Sequence, residues 1–170
     1  MTSKERVLER ERTRAIPVGI VQGKADALDL GQRAPGMDGT AIIDEESKIP
    51  QWSETGVYPT GVAVKDEGQV YTLLMPHRAA DNPGVRPANL RSIYDLRHTK
   101  DPKRAKYWVA SLGVSGIWKV DECCTYINPT DGLLHVLRNL WENNEFPPYT
   151  LNVEDRYEDI GLASEIQSNG

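Results

Sequence analysis

The chain has 170 residues, 39% of them hydrophobic and 26% charged, enough for one ordinary domain or two small ones. A net charge of −5 argues against a dedicated nucleic-acid binder. Mean hydropathy is −0.52, and no apolar run approaches the roughly 18 residues of a bilayer span, so membrane insertion is excluded.

The residue pattern predicts a mainly β fold: an extended N-terminal arm followed by two small tandem antiparallel β units. Residues 1–49 form the arm. Its first stretch, MTSKERVLERERTR, is charged where a secretory signal would turn apolar. It reads as one or two turns of surface helix, with Ser3 as the candidate N-cap. Gly and Pro then recur every few residues up to Ile49, and no period lasts beyond about five positions. A loop of this length without structure of its own is unusual inside a compact domain. The apolar beads Ile16, Val18, Ile20, Val21, Leu28, Leu30, Ile42 and Ile43 fit an arm that docks on its own domain, a neighbouring copy or another protein, not a free linker.

Residues 50–97 form the first β unit. VAV and QVYTLLM flank Lys65-Asp66-Glu67-Gly68, a hairpin signal. Residues 98–112 read as a basic linker, its cations Lys100, Lys103, Arg104 and Lys106 continuing from Arg97. A solvated linker or a subunit contact is the preferred reading there over a phosphate site. Residues 113–161 form the second unit, where CCTYI and LLHVL flank Asn128-Pro129-Thr130-Asp131-Gly132. The tail, 162–170, is polar and expected at the surface.

The two units look like an internal repeat. At an offset of 64, Gly68 meets Gly132, Tyr71 meets His135, Leu73 meets Leu137 and Pro83 meets Pro147. Upstream, Tyr58 to Val64 falls on Trp118 to Cys124 if the second hairpin is four residues longer. Each unit alone buries little surface, so pairing two makes physical sense.

Catalytic and metal-binding signatures are absent from the pattern, and no cofactor is expected. Cys123 and Cys124 are adjacent, so bonding to each other would close a strained ring. They read as strand residues on opposite faces, an intermolecular disulfide being the alternative in an oxidising setting. His77, His98 and His135 sit at unrelated spacings without a companion ligand. His98 and His135 are expected exposed or half-buried beside strands. The run Glu154, Asp155, Glu158, Asp159 reads as a solvated face more readily than as a carboxylate pair for glycoside hydrolysis.

The arrangement Trp52…Tyr58-Pro-Thr-Gly61-Val62-Ala63-Val64…Gly68-Gln-Val-Tyr71, followed by Pro83 and a closing Tyr94, resembles the small chitin-binding type of carbohydrate-binding module. Such modules also occur in tandem within phage and prophage tail and fibre proteins. The family's closing Trp is Tyr94 in the first unit and Tyr157 in the second, and the second hairpin aromatic is His135. The resemblance implies flat rings that stack on sugar faces. The candidates are Trp52, Tyr58, Tyr71, Trp118 and Trp141, although a core aromatic in a small β unit is the favoured reading of each. Two functions follow as expectations. One is a non-enzymatic virion protein of fibre, decoration or adapter type, docked by its arm to other virion proteins and expected as a homo-oligomer. The other is an adhesin that recognises a host surface glycan.

Overall fold

The structure is a computed structural model that describes residues 29–151 and 154–168. Its strands are β1 (Val57–Tyr58), β2 (Ala63–Asp66), β3 (Gln69–Leu73), β4 (His77–Arg78), β5 (Tyr94–Arg97), β6 (Lys106–Tyr107), β7 (Cys123–Ile127), β8 (Leu134–Asn139) and β9 (Tyr157–Leu162). The first unit holds the antiparallel meander β2-β3-β5 beside the small pair β1-β4, and the second holds the sheet β6-β7-β8-β9. The fold is mainly β, with several small antiparallel sheets.

Residues 29–49 dock, as their apolar beads predict, but as a chain of short helical turns. A turn over 29–33 leads into the 3-10 turn Ala34–Gly36, then α1 (Gly39–Asp44), then the 3-10 turn Glu46–Lys48. The Asp38 side chain starts α1 by accepting from the Ala41 N–H at 2.8 Å. Gly and Pro keep each turn short without preventing it. Leu30, Ile42, Ile43 and Ile49 are buried against Ala63 and Val70 on one face of the first sheet. The opposite face holds the first unit's own core: Trp52, Val64, Tyr71, Leu73, Tyr94 and Leu96.

One backbone plan recurs in both units. The Trp52 N–H donates to Lys65 O at 2.8 Å, and the Trp108 N–H donates to Thr125 O at 3.0 Å. Gly61 N–H donates to Leu73 O, and Asp121 N–H to Asn139 O, each at 2.8 Å. Tyr58 pairs across from His77, and Trp118 from Asn144. Tyr71 therefore corresponds to Leu137 and Leu73 to Asn139, two residues away from the 64-residue frame. The second hairpin is the cause. Two residues separate Asp66 from Gln69, and eight separate the equivalent Tyr126 and His135, an excess of six where four was expected. A slip of two residues keeps every side chain on its own face, so alternation alone could not expose it.

Two boundaries move. Strand β6 lies within the stretch expected as the linker 98–112 and pairs parallel to β7, so the second unit begins well before residue 113. The tail folds into α2 (Ala163–Gln167), which buries Ala163 and packs Ile166 with Cys123 and Val136. It is an anchored element and not a free polar end: Gln167 Nε2 donates to Pro102 O at 3.3 Å and Ala105 O at 2.9 Å.

A seam joins the units. His98, expected exposed or half-buried, is buried and stacks on Trp118 with ring centroids 3.4 Å apart. Its Nε2–H donates to Gly116 O at 2.8 Å. Buried Arg91 donates from Nε to Ser115 Oγ at 2.9 Å and from Nη2 to Ser115 O at 3.0 Å. The basic stretch is anchored as well: Arg104 pairs with Asp44 at 3.4 Å and Lys106 with Glu46 at 2.5 Å.

Candidate functional site

The five candidate sugar-facing rings do not form a platform. Trp52 is 6% exposed, Tyr71 2% and Trp118 1%, each within a core. Trp52 Nε1–H donates to the Tyr94 hydroxyl at 3.1 Å, and that hydroxyl meets His77 Nδ1 at 2.7 Å. His77 Nε2 meets Asn82 Oδ1 at 2.7 Å, so the relay requires the proton on Nε2 and donation from Tyr94 to Nδ1. A tyrosine at the closing position thus locks the first tryptophan inward. Tyr58 is half-buried against the same core, and its hydroxyl accepts from Ser53 N–H at 2.7 Å.

Trp141 is the exception, with 41% of its surface exposed. The Arg156 guanidinium lies 3.6 Å from its ring centroid and 4.7 Å from that of Phe146, which covers part of the indole with a cation. Trp108, which the aromatic pattern did not single out, is the second unit's counterpart of Trp52. Its indole nitrogen makes no hydrogen bond among the described residues, and the Tyr157 hydroxyl donates to Phe146 O at 2.5 Å.

Of the arm candidates, Ile16, Val18, Ile20, Val21 and Leu28 lie outside the described residues. Leu30 is buried within its own chain's core.

The titratable groups are held in structural roles. His135 stands between two carboxylates, Nε2 on Asp131 at 2.6 Å and Nδ1 on Asp159 at 2.9 Å. Both ring nitrogens must donate there, which favours the imidazolium and raises its pKa. A ring occupied on both sides has no lone pair left to act as a base. Asp159 also accepts from Tyr149 at 3.2 Å, and Glu158 pairs with Arg138 at 3.4 Å. Glu154–Arg156 is a 3-10 turn that leads into β9, so the acidic run is split between that turn and the strand, which carries Glu158 and Asp159. Cys123 and Cys124 are free, buried and in separate core clusters on opposite faces of β7. Burial pushes the Cys123 thiol up to about 11 and Cys124 further. Among the described residues no cluster of three or more His, Cys, Asp or Glu is placed to hold a metal ion.

What the surface does present is concentrated in the second unit. From residue 119 to the end, three Lys and Arg face ten Asp and Glu, whereas residues 1–28 carry six cations and four carboxylates. Leu133, Trp141, Phe146 and Leu151 are exposed on this acidic half. The outer edge of its sheet, β9, pairs only with β8 among the described residues. These features escaped the sequence reading because net charge was taken over the whole chain, and because the edge of a sheet is defined only by its neighbours. Neither a scan against protein-family models nor a search of curated proteins gives a match.

Proposed function

We propose that this chain is a non-enzymatic structural protein of a phage-type virion, of fibre, decoration or adapter type, attached through its N-terminal arm. Its partners are other virion proteins and further copies of itself, and its place is the particle. The observation that carries this reading is the inward turn of the aromatic residues. In a chain with the pattern of a carbohydrate-binding module, Trp52, Tyr71 and Trp118 build cores and leave the fold as a scaffold. The acidic, partly apolar second unit supports it too, since an exposed surface of that kind suits contact with other chains. Two experiments test the proposal. Antibody labelling of particles from cells that carry the gene should decorate a fixed position, and unlabelled particles would sink it. Light scattering behind size exclusion should give a discrete oligomer of the 19.0 kDa chain, and a monomer at all concentrations would count against self-association.

The adhesin reading rests on Trp141, the one exposed ring among the candidates. If it were correct, full-length protein would be retained on immobilised polysaccharide and W141A would pass through. Equal migration of the two would remove it.

A further inference from the structure

We infer that the open edge of β9 is the receptor for the N-terminal arm of a second copy, which adds residues 15–21 as a further strand. This rests on the assembly reading and names the surface that the arm meets. The internal repeat provides the first reason. In the first unit the equivalent edge strand, β5, is closed by a plug: Leu96 N–H donates to Ser115 Oγ at 2.9 Å, and that hydroxyl donates to Tyr94 O at 3.3 Å. The matching outward groups in the second unit are Asp159 N–H and Tyr157 O, since Leu137 pairs with Asp159 and Asn139 with Tyr157 as Tyr71 does with Leu96 and Leu73 with Tyr94. No described residue meets either group. Helix α2 packs on β8, β9 and the 3-10 turn Pro102–Arg104. A six-residue edge left open is a site for strand addition.

The occupant follows from pattern and charge. Residues 15–21 read Ala-Ile-Pro-Val-Gly-Ile-Val, with Ile16, Val18 and Ile20 at strand spacing. On one face they would extend the layer in which Ile160 and Leu134 already pack. Arg10, Arg12 and Arg14 precede the segment, and the edge lies in the half of the molecule where ten Asp and Glu face three Lys and Arg, so the net charges favour this arm and repel an acidic strand. Seven residues separate Val21 from Asp29, a reach of about 25 Å when extended. Residues 29–33 sit on the first unit, where Gly31 lies beside Val62, and the self-association of the assembly reading makes a second copy the donor.

The test mixes full-length E158C chains with full-length V18C or I20C chains under mild oxidation. The native thiols are buried and do not compete. A band at twice the chain mass that needs both partners, is absent with E142C in place of E158C, and accompanies loss of the oligomer in I16D/V18D/I20D is the expected result. Cross-linking only within a doubly substituted monomer overturns the second copy as donor. A persistent oligomer without cross-links overturns the β9 receptor and leaves the assembly reading standing. A monomer throughout removes both.

Discussion

Asp121 holds a left-handed backbone conformation, φ 73°, at the position where the first unit has Gly61, φ 85°. The same hydrogen bond to the end of the second hairpin strand fixes both, so the turn demands this conformation whatever residue occupies it. An L side chain there costs about 1 kcal/mol relative to glycine. D121G should therefore raise the melting temperature, and G61A should lower it by more than that gain, because a Cβ at 61 would stand 2.6 Å from Pro35 Cγ. Thermal denaturation of the two variants measures both signs. The histidines give a second residue-scale prediction. Burial lowers His98 from 6.5 to about 3, so across that window the unfolded chain binds the proton that the folded ring refuses, and stability falls as pH drops. His135 runs the other way. Hydrogen bonds to Asp159 and Asp131 raise it from 6.5, so its contribution is complete below that value and fades as pH climbs through the raised one. Melting temperature should peak near pH 6.5; H98F should flatten the fall toward pH 5 and H135Q the fall toward pH 9.

At the scale of elements, the helical turns of residues 29–49 are part of the first unit's fold. Ile43 is fully buried and Ile42 nearly so. I43A should cost about 2–5 kcal/mol in urea denaturation, the usual loss for a core Ile truncation; a change near zero would mean that α1 docks weakly. The approach of α1 to the seam is equally tight, since a Cβ on Gly39 would stand 2.1 Å from the His98 carbonyl oxygen. The β elements were largely legible: both hairpins lie where alternation and turn residues placed them. The helical turns were not, because isolated turns of three to six residues carry no period long enough to read. Their helicity is stabilised by packing and by Asp38, not by propensity.

At the scale of the whole molecule, the units are tandem in sequence but joined in space. The His98–Trp118 stack and the Arg91–Ser115 clamp cross between them. Urea unfolding followed by tryptophan fluorescence and by circular dichroism should give coincident single transitions. R91A should separate the two, since it removes the buried guanidinium that ties Ser115 to the first unit and leaves a void in the seam. Transitions that are already separate in the unaltered chain would show that the seam is too weak to couple the units. Charge is polarised at the same scale, with the cationic excess in the N-terminal segment and the acidic excess after residue 118. A polarised chain favours head-to-tail contact, which closes into a ring or runs on as a filament.

The sequence by itself determined the β character, the two hairpins, the tandem repeat and the placement of Cys123 and Cys124 on opposite faces. These follow from side-chain alternation and turn chemistry, which act over a few residues. Only the tertiary structure decided that Trp52, Tyr71 and Trp118 turn inward, that Trp108 is the true counterpart of Trp52, and that the repeat runs two residues off the frame the sequence suggested. It also decided which sheet edge is plugged by Ser115 and which is left open. Each of these depends on what lies across a sheet or beyond its last strand, set by residues twenty to sixty positions away, and periodicity along the chain holds no record of such neighbours.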